Sequence, residues 1–108
     1  MLEQSILTTV RNYLVALASE GIMVERAVVF GSQVKGQADA WSDIDVLVIS
    51  PQFDDIKDRS SVNLLWRVAA RTDSRIEPIA CGSRQWRDDD SIAIIEIARR
   101  EGMVLEAA

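Results

Sequence analysis

Asp43 and Asp45 stand one residue apart at the head of an apolar run, within the stretch FGSQVKGQADAWSDIDVLVIS from Phe30 to Ser50. Upstream, the pair Gly31-Ser32 closes another apolar run, and ten residues separate Ser32 from Asp43. Side chains alternate faces along a strand, so the two aspartates point the same way, with backbones about 6 to 7 Å apart at ~3.3 Å per residue. Bare carboxylates in this position repel each other and are costly to bury, and a cation between them offsets both penalties. Hard cations such as Mg²⁺ take oxygen ligands, typically one or two carboxylates together with substrate phosphates. At a strand-to-helix turn, Gly31 and Ser32 offer backbone N–H groups and a hydroxyl to an anion. Lys35, one helical turn further on, adds a point charge for the same phosphates. Taken singly each part has a plainer reading, the Gly-Ser as a turn and the Asp-x-Asp as a solvated strand end. Their joint spacing points to a metal-bound phosphate ligand.

Composition narrows the chemistry. The chain contains no histidine, which excludes a Ser-His-Asp triad, a Cys-His pair and a histidine-rich zinc site. Carboxylates and metal-bound water are then the expected acid-base groups. A net charge of -5 argues against a general nucleic-acid binder, because phosphate affinity rests on clustered Lys and Arg. The lone Cys81 permits no internal disulfide and reads as a small, half-buried structural residue. No apolar run approaches the roughly 20 residues of a membrane span. The opening MLEQSILTTVRNYL lacks the basic start of a signal peptide, so the expected location is cytoplasmic. A length of 108 residues is that of one domain.

Regular elements must bring the site residues together. Ile6, Leu7, Val10, Leu14 and Leu17 recur at helical spacing, which predicts a helix over residues 3–19 that stops near Gly21. MVERAVVFG predicts a strand over about 24–30, Ser32 to Gly36 a short helix, and Gln37 to Ser42 a loop. DIDVLVIS is a second strand, ended by Pro51. Beyond the polar QFDDIKDR, Val62, Leu65, Trp66 and Ala69 mark a helix over about 59–73, with Trp66 on its apolar stripe and so in the core. RIEPIAC is a third strand, whose Pro78 indicates a sheet edge or a local break in pairing. DDDSIAIIEIARREG predicts a last helix with Asp88 to Asp90 at its solvated start and Gly102 as its stop, and MVLEA a short final strand. The order α-β-α-β-α-β-α implies a mixed α/β fold with helices packed on a small sheet. Ile92, Ile94, Ile95 and Ile97 make the last helix apolar on more than one face. It is therefore either deeply buried or an interface, and self-association or a protein partner is the expectation. Trp41, just before Asp43, reads either as a rim residue that meets a nucleotide or partner, or as a packed one.

GSQVKGQADAWSDIDVLVIS resembles the signature of the nucleotidyltransferase superfamily that includes DNA polymerase beta. In particular it resembles the minimal nucleotidyltransferases, small domains often encoded beside a HEPN-domain partner in toxin-antitoxin pairs. The Gly-Ser pair, Gly36 after a basic residue, and SDIDVLV all fall at that family's spacing. The resemblance implies a palm-like fold and the transfer of a nucleoside monophosphate, AMP from ATP, to an acceptor hydroxyl with pyrophosphate leaving. It implies that Asp43 and Asp45 hold two Mg²⁺ ions and that Gly31 and Ser32 grip the phosphates. Lys35 stands where many relatives have arginine, which keeps the charge but loses the bidentate fork.

The same resemblance implies a third carboxylate on a neighbouring strand, bound to the metal that activates the acceptor. Glu77 is the candidate, as the only acidic residue inside the third apolar run. The family more often has aspartate here, and the alternative reading of Glu77 is an edge-strand residue paired with Arg75 or a nearby arginine. Larger relatives shape an acceptor pocket with an extra helical domain, for which this chain has no room. The implied acceptor is therefore macromolecular, a hydroxyl on a HEPN-type toxin. The competing expectation is an antitoxin or adaptor that keeps the fold without turnover and acts by binding its partner.

Overall fold

The computed structural model describes residues 2–54 and 59–106. Helix α1 (Gln4–Ser19) buries Ile6, Val10, Tyr13, Leu14 and Leu17 along one stripe. It ends in a Schellman motif: Gly21 takes a φ of 94°, and the N–H groups of Gly21 and Ile22 donate to the carbonyls of Ala18 and Leu17. The chain then enters β1 (Arg26–Phe30) and, after Gly31, the single turn α2 (Ser32–Lys35). Strand β2 (Ile44–Ile49), a 3₁₀ turn (Pro51–Asp54) and α3 (Arg59–Thr72) follow. The remainder is β3 (Ile76–Cys81), α4 (Ser83–Asp88), α5 (Ala93–Glu101) and β4 (Met103–Glu106).

The four strands lie in the order β3-β2-β1-β4. β1 is antiparallel to both β2 and β4, while β2 runs parallel to β3. A parallel pair needs a crossover, and α3 provides it. The two central strands are buried along almost their whole length, as strands covered on both faces must be. On one face Val29, Val46 and Val48 pack with Val10, Leu17 and Leu65 of α1 and α3. Buried Tyr13 also donates its hydroxyl to the Leu65 carbonyl at 2.9 Å, joining these helices, and burial pushes its phenol above the ordinary value. On the other face Val28, Leu47, Ile49 and Cys81 pack with Ile95 and Ala98 of α5. The expected mixed α/β fold is the observed one, and Pro78 does lie on an edge strand.

Three expectations change and one open alternative narrows. Trp66 is 52% exposed, because the buried stripe of α3 runs through Ser61, Leu65, Val68 and Ala69. Both stripes satisfy the helical period, and packing against α1 and β3 selects the one centred on Leu65. Cys81 is fully buried rather than half-buried, and burial pushes its thiol up to about 11, which suits a packing residue and not a nucleophile. The last helical region is two helices: Asp88 ends α4, and Asp89 accepts hydrogen bonds from the N–H and hydroxyl of Ser91 in the bend before α5. Of the two readings of the last apolar helix, deep burial is not the observed one, since only Ile95 and Ala98 of α5 are buried while Ile92, Ile94 and Ile97 stay partly exposed. Residues 55–58 of the polar connection lie outside the described residues. Among the described residues no helix is long and apolar enough to cross a membrane.

Candidate active site

Strand register converts a linear spacing into a cluster. Asp45 is paired with Phe30 on one side and with Glu77 on the other. It therefore stands between the Gly31 turn, which follows Phe30, and the edge strand. Asp43 precedes Asp45 by two residues and shares its side of the strand. Asp45 is half-buried, whereas Asp43 and Glu77 are exposed. Partial burial, and then the charge of Asp43, hold Asp45 above its ordinary value. Glu77 is raised by desolvation, then by the charges of Asp43 and Asp45, and Asp43 is near enough to share a hydrogen bond with it when one of the two is protonated. Arg75 does not pair with Glu77. Its Nε and Nη2 donate to Asp73 at 3.1 and 2.8 Å, and this fork holds Asp73 below the usual carboxylate range. Three carboxylates thus face one another while the adjacent guanidinium is turned away.

Gly31 sits against this cluster. Its φ of 79° and ψ of -149° are accessible to glycine and strained for other residues. A Cβ on Gly31 would also run into the Asp45 carboxylate. The Gly31 carbonyl accepts the N–H groups of Val34 and Lys35, each at 3.2 Å, so the chain turns into α2 directly beside Asp45. Ser32 is half-buried at the start of that turn. Lys35 points to α5 instead, with its Nζ 3.2 Å from Glu101. Ion pairs this exposed are worth ~1 kcal/mol or less, so the tether is easily exchanged for another anion.

Sequence pattern alone misses Gln33. It lies on α2, is 8% exposed, and its Nε2 donates to the carbonyls of Ser42 at 3.4 Å and Asp43 at 3.2 Å. These bonds fix the backbone at the point where Asp43 leaves the loop for β2. A lone glutamine after Gly-Ser belongs to no apolar periodicity, and its burial is the signal that marks it. A cleft of about 400 Å³, lined by Glu3, Ile6, Ala38 and Arg75 among others, opens beside it. Gln33→Ala would let water from this cleft reach both carbonyls and loosen Asp43. If Asp43 is a metal ligand, the expected result is an activity lowered about tenfold or more, within the ~10–100-fold typical of groups that orient metal ligands. Titration of activity against Mg²⁺ checks it, with saturation displaced to higher metal concentration in the variant.

All three carboxylates offer oxygen, the donor a hard cation prefers. Among the described residues no group of three or more His, Cys, Asp or Glu side chains is placed to hold a metal ion. The arrangement is an open acidic face, which suits an ion that keeps several waters and takes further ligands from phosphate oxygens.

This architecture has a solved counterpart. A crystal structure from Sulfolobus solfataricus, described as a candidate nucleotidyltransferase, superposes with a TM-score of 0.62 at 16% identity, over 93% of this chain and 78% of that one. At that identity the likeness establishes the fold. No curated protein matches the chain. The profile of the nucleotidyltransferase domain family matches residues 7–101, which takes in the Gly31 turn, all three carboxylates and the first three strands. The chain therefore belongs to the nucleotidyltransferase domain family, within the polymerase-beta-like superfamily.

Proposed function

We propose that the protein transfers AMP from ATP to a hydroxyl of a macromolecular acceptor, with Mg²⁺ as cofactor. The observation that carries this reading is the register that sets Asp45 between the Gly31 turn and Glu77. Gly31 and Ser32 bind the phosphate tail, and the absence of a side chain at Gly31 lets it approach Asp45. Asp43, Asp45 and Glu77 would hold Mg²⁺, which supplies neutralising charge for the phosphates and makes the acceptor hydroxyl more acidic. Glu77, on the open edge strand, orients the incoming hydroxyl. In the reaction the acceptor oxygen forms a bond to the α-phosphorus, the bond to the β-phosphate bridge breaks, and pyrophosphate departs. Lys35 exchanges Glu101 for the phosphate tail.

The acceptor in this reading is a HEPN-type toxin, and the partly exposed Ile92, Ile94 and Ile97 of α5 are the surface available to meet it. The same isoleucines favour a second reading, an antitoxin or adaptor that neutralises such a partner by binding alone. ATP labelled at its α-phosphate, incubated with the protein and the product of the adjacent gene, separates the two. Label on the partner that depends on Mg²⁺ and is lost on chelation is the expected result. Neutralisation of the partner without any label would establish the binding reading instead.

A further inference from the structure

The chain has six aromatic residues, Tyr13, Phe30, Trp41, Phe53, Trp66 and Trp86. Tyr13, Phe30 and Phe53 are buried. Trp86 is covered by the Arg99 guanidinium, 5.2 Å from its ring centre. Trp66 belongs to α3, which packs on the sheet face opposite Asp45, Leu47 and Ile49. Trp41 remains, 89% exposed and two residues before Asp43, which places its Cα within about 7 Å of that residue's. Tryptophan is highly buried on average, so this degree of exposure beside an acidic cluster calls for an explanation.

Its mount is rigid. The Asp39 carboxylate accepts hydrogen bonds from the Trp41 N–H at 2.8 Å and the Ser42 hydroxyl at 3.2 Å. The Ser42 hydroxyl accepts one from the Asp39 N–H at 3.0 Å, and the Asp39 carbonyl accepts one from the Ser42 N–H at 3.2 Å. Beneath the turn, buried Gln33 holds the carbonyls of Ser42 and Asp43. A turn closed on itself and braced from the core presents an aromatic face with little ordering left to do when a planar ligand arrives.

We propose that Trp41 is the stacking platform for the base of the nucleoside triphosphate and gives the site a preference for purines. The proposal rests on the reading of this cluster as a nucleotide site. Its polar groups all serve phosphate and metal, and Trp41 is the one ring face at that end of the sheet open to a base. Stacking on an aromatic side chain tolerates any base but favours the larger rings, and its removal by alanine is worth enough to read in a titration.

Isothermal titration of the whole chain with Mg²⁺ and ATP, UTP or inorganic tripolyphosphate tests this in the wild type, Trp41→Ala and Trp41→Phe. Trp41→Ala is expected to weaken ATP binding roughly tenfold, to bring ATP and UTP to similar affinity, and to leave tripolyphosphate binding unchanged. Trp41→Phe should retain most of the ATP affinity. Equal weakening of ATP and tripolyphosphate, or unchanged ATP affinity in Trp41→Ala, overturns the proposal and leaves the nucleotide site standing. A wild-type chain that binds neither ATP nor tripolyphosphate removes the nucleotide site itself, and the platform with it.

Discussion

Asparagine in place of Asp45 is expected to reduce nucleotidyl transfer by about 100-fold or more and, in metal-free protein at neutral pH, to make the fold more stable. The first effect follows from position. Asp45 is the carboxylate paired with both Phe30 and Glu77, so it stands between the Gly31 turn, the proposed phosphate site, and the edge strand. Groups that merely orient metal ligands are worth ~10–100-fold, and a ligand at the centre of the cluster belongs at the top of that range or beyond. The second effect has the opposite sign because the folded state raises the Asp45 pKa, through partial burial and then through Asp43. As pH rises through the carboxylate range the unfolded chain ionises first, so charged Asp45 opposes folding from there upward. Below that range both states are protonated and the penalty vanishes. The stability gained by Asp45→Asn is therefore complete at neutral pH and fades on acidification. Glu77 is raised by the same neighbours, and Glu77→Gln should shift stability in the same direction but less, since solvent screens its exposed side chain. Mg²⁺ should stabilise the wild type more than the variant and so narrow the gap. Thermal unfolding of both proteins across pH, with and without Mg²⁺, provides the check. A variant less stable than wild type in metal-free buffer at pH 7 would contradict the charge argument.

Gly31→Ala is expected to damage fold and activity by separate routes. The backbone at φ 79° and ψ -149° strains any residue with a Cβ, by about 1–3 kcal/mol. The added methyl also meets the Asp45 carboxylate. That carboxylate is the flexible end of a side chain and can rotate away at little cost to stability. Rotation, however, moves it out of the cluster it shares with Asp43 and Glu77, and the methyl occupies the approach of the phosphate tail in the proposed reaction. Activity should thus fall by more than the loss of folded protein explains. Transfer assays at a temperature where the variant is fully folded, compared with its denaturant midpoint, distinguish the two routes. Full activity in folded Gly31→Ala would mean that the phosphates do not pass over this glycine.

The first part of the site was legible because it is local. Gly31, Ser32, Asp43 and Asp45 lie within one hairpin of antiparallel strands, β1 and β2, so their spacing along the chain already sets their neighbourhood. Glu77 was legible only as the one acidic residue in an apolar run. Its adjacency to Asp45 comes from a parallel pairing across the α3 crossover, a contact that no periodicity encodes. Lys35 shows the limit in another way, since the partner its ammonium takes in the folded chain, Glu101, lies 66 positions downstream.

Helix α4 shows why some elements escape local reading. Its six residues are too few to display an apolar stripe, and although Gln85 caps its start locally by accepting the Gly82 N–H at 3.1 Å, both of its ends also take partners from elsewhere. At the start, the Asp54 carboxylate accepts the N–H groups of Arg84 at 3.1 Å and Gln85 at 3.4 Å. Gly82 leaves room for that carboxylate, which a Cβ would strike. At the end, Arg99 donates to the carbonyls of Gln85, Trp86 and Asp89. Helix termini usually carry their caps in adjacent sequence, and here the local Gln85 cap is joined by partners from a turn and a helix that only folding brings near. The acidic run at Asp88 to Asp90, which resembles a helix start, instead closes α4 and bends into α5.

By itself the sequence determined the class of fold and which apolar runs become its strands, and it singled out the carboxylates as candidates. Each rests on periodicity or on residues separated by a single turn, and such interactions are encoded in local spacing. Tertiary structure alone decided which stripe of α3 is buried, which partners Arg75 and Lys35 take, that Gln33 braces Asp43, and that Trp41 stands exposed on a hydrogen-bonded turn. Those outcomes depend on competition among distant groups for the same space and the same hydrogen bonds, and only the packed chain settles it.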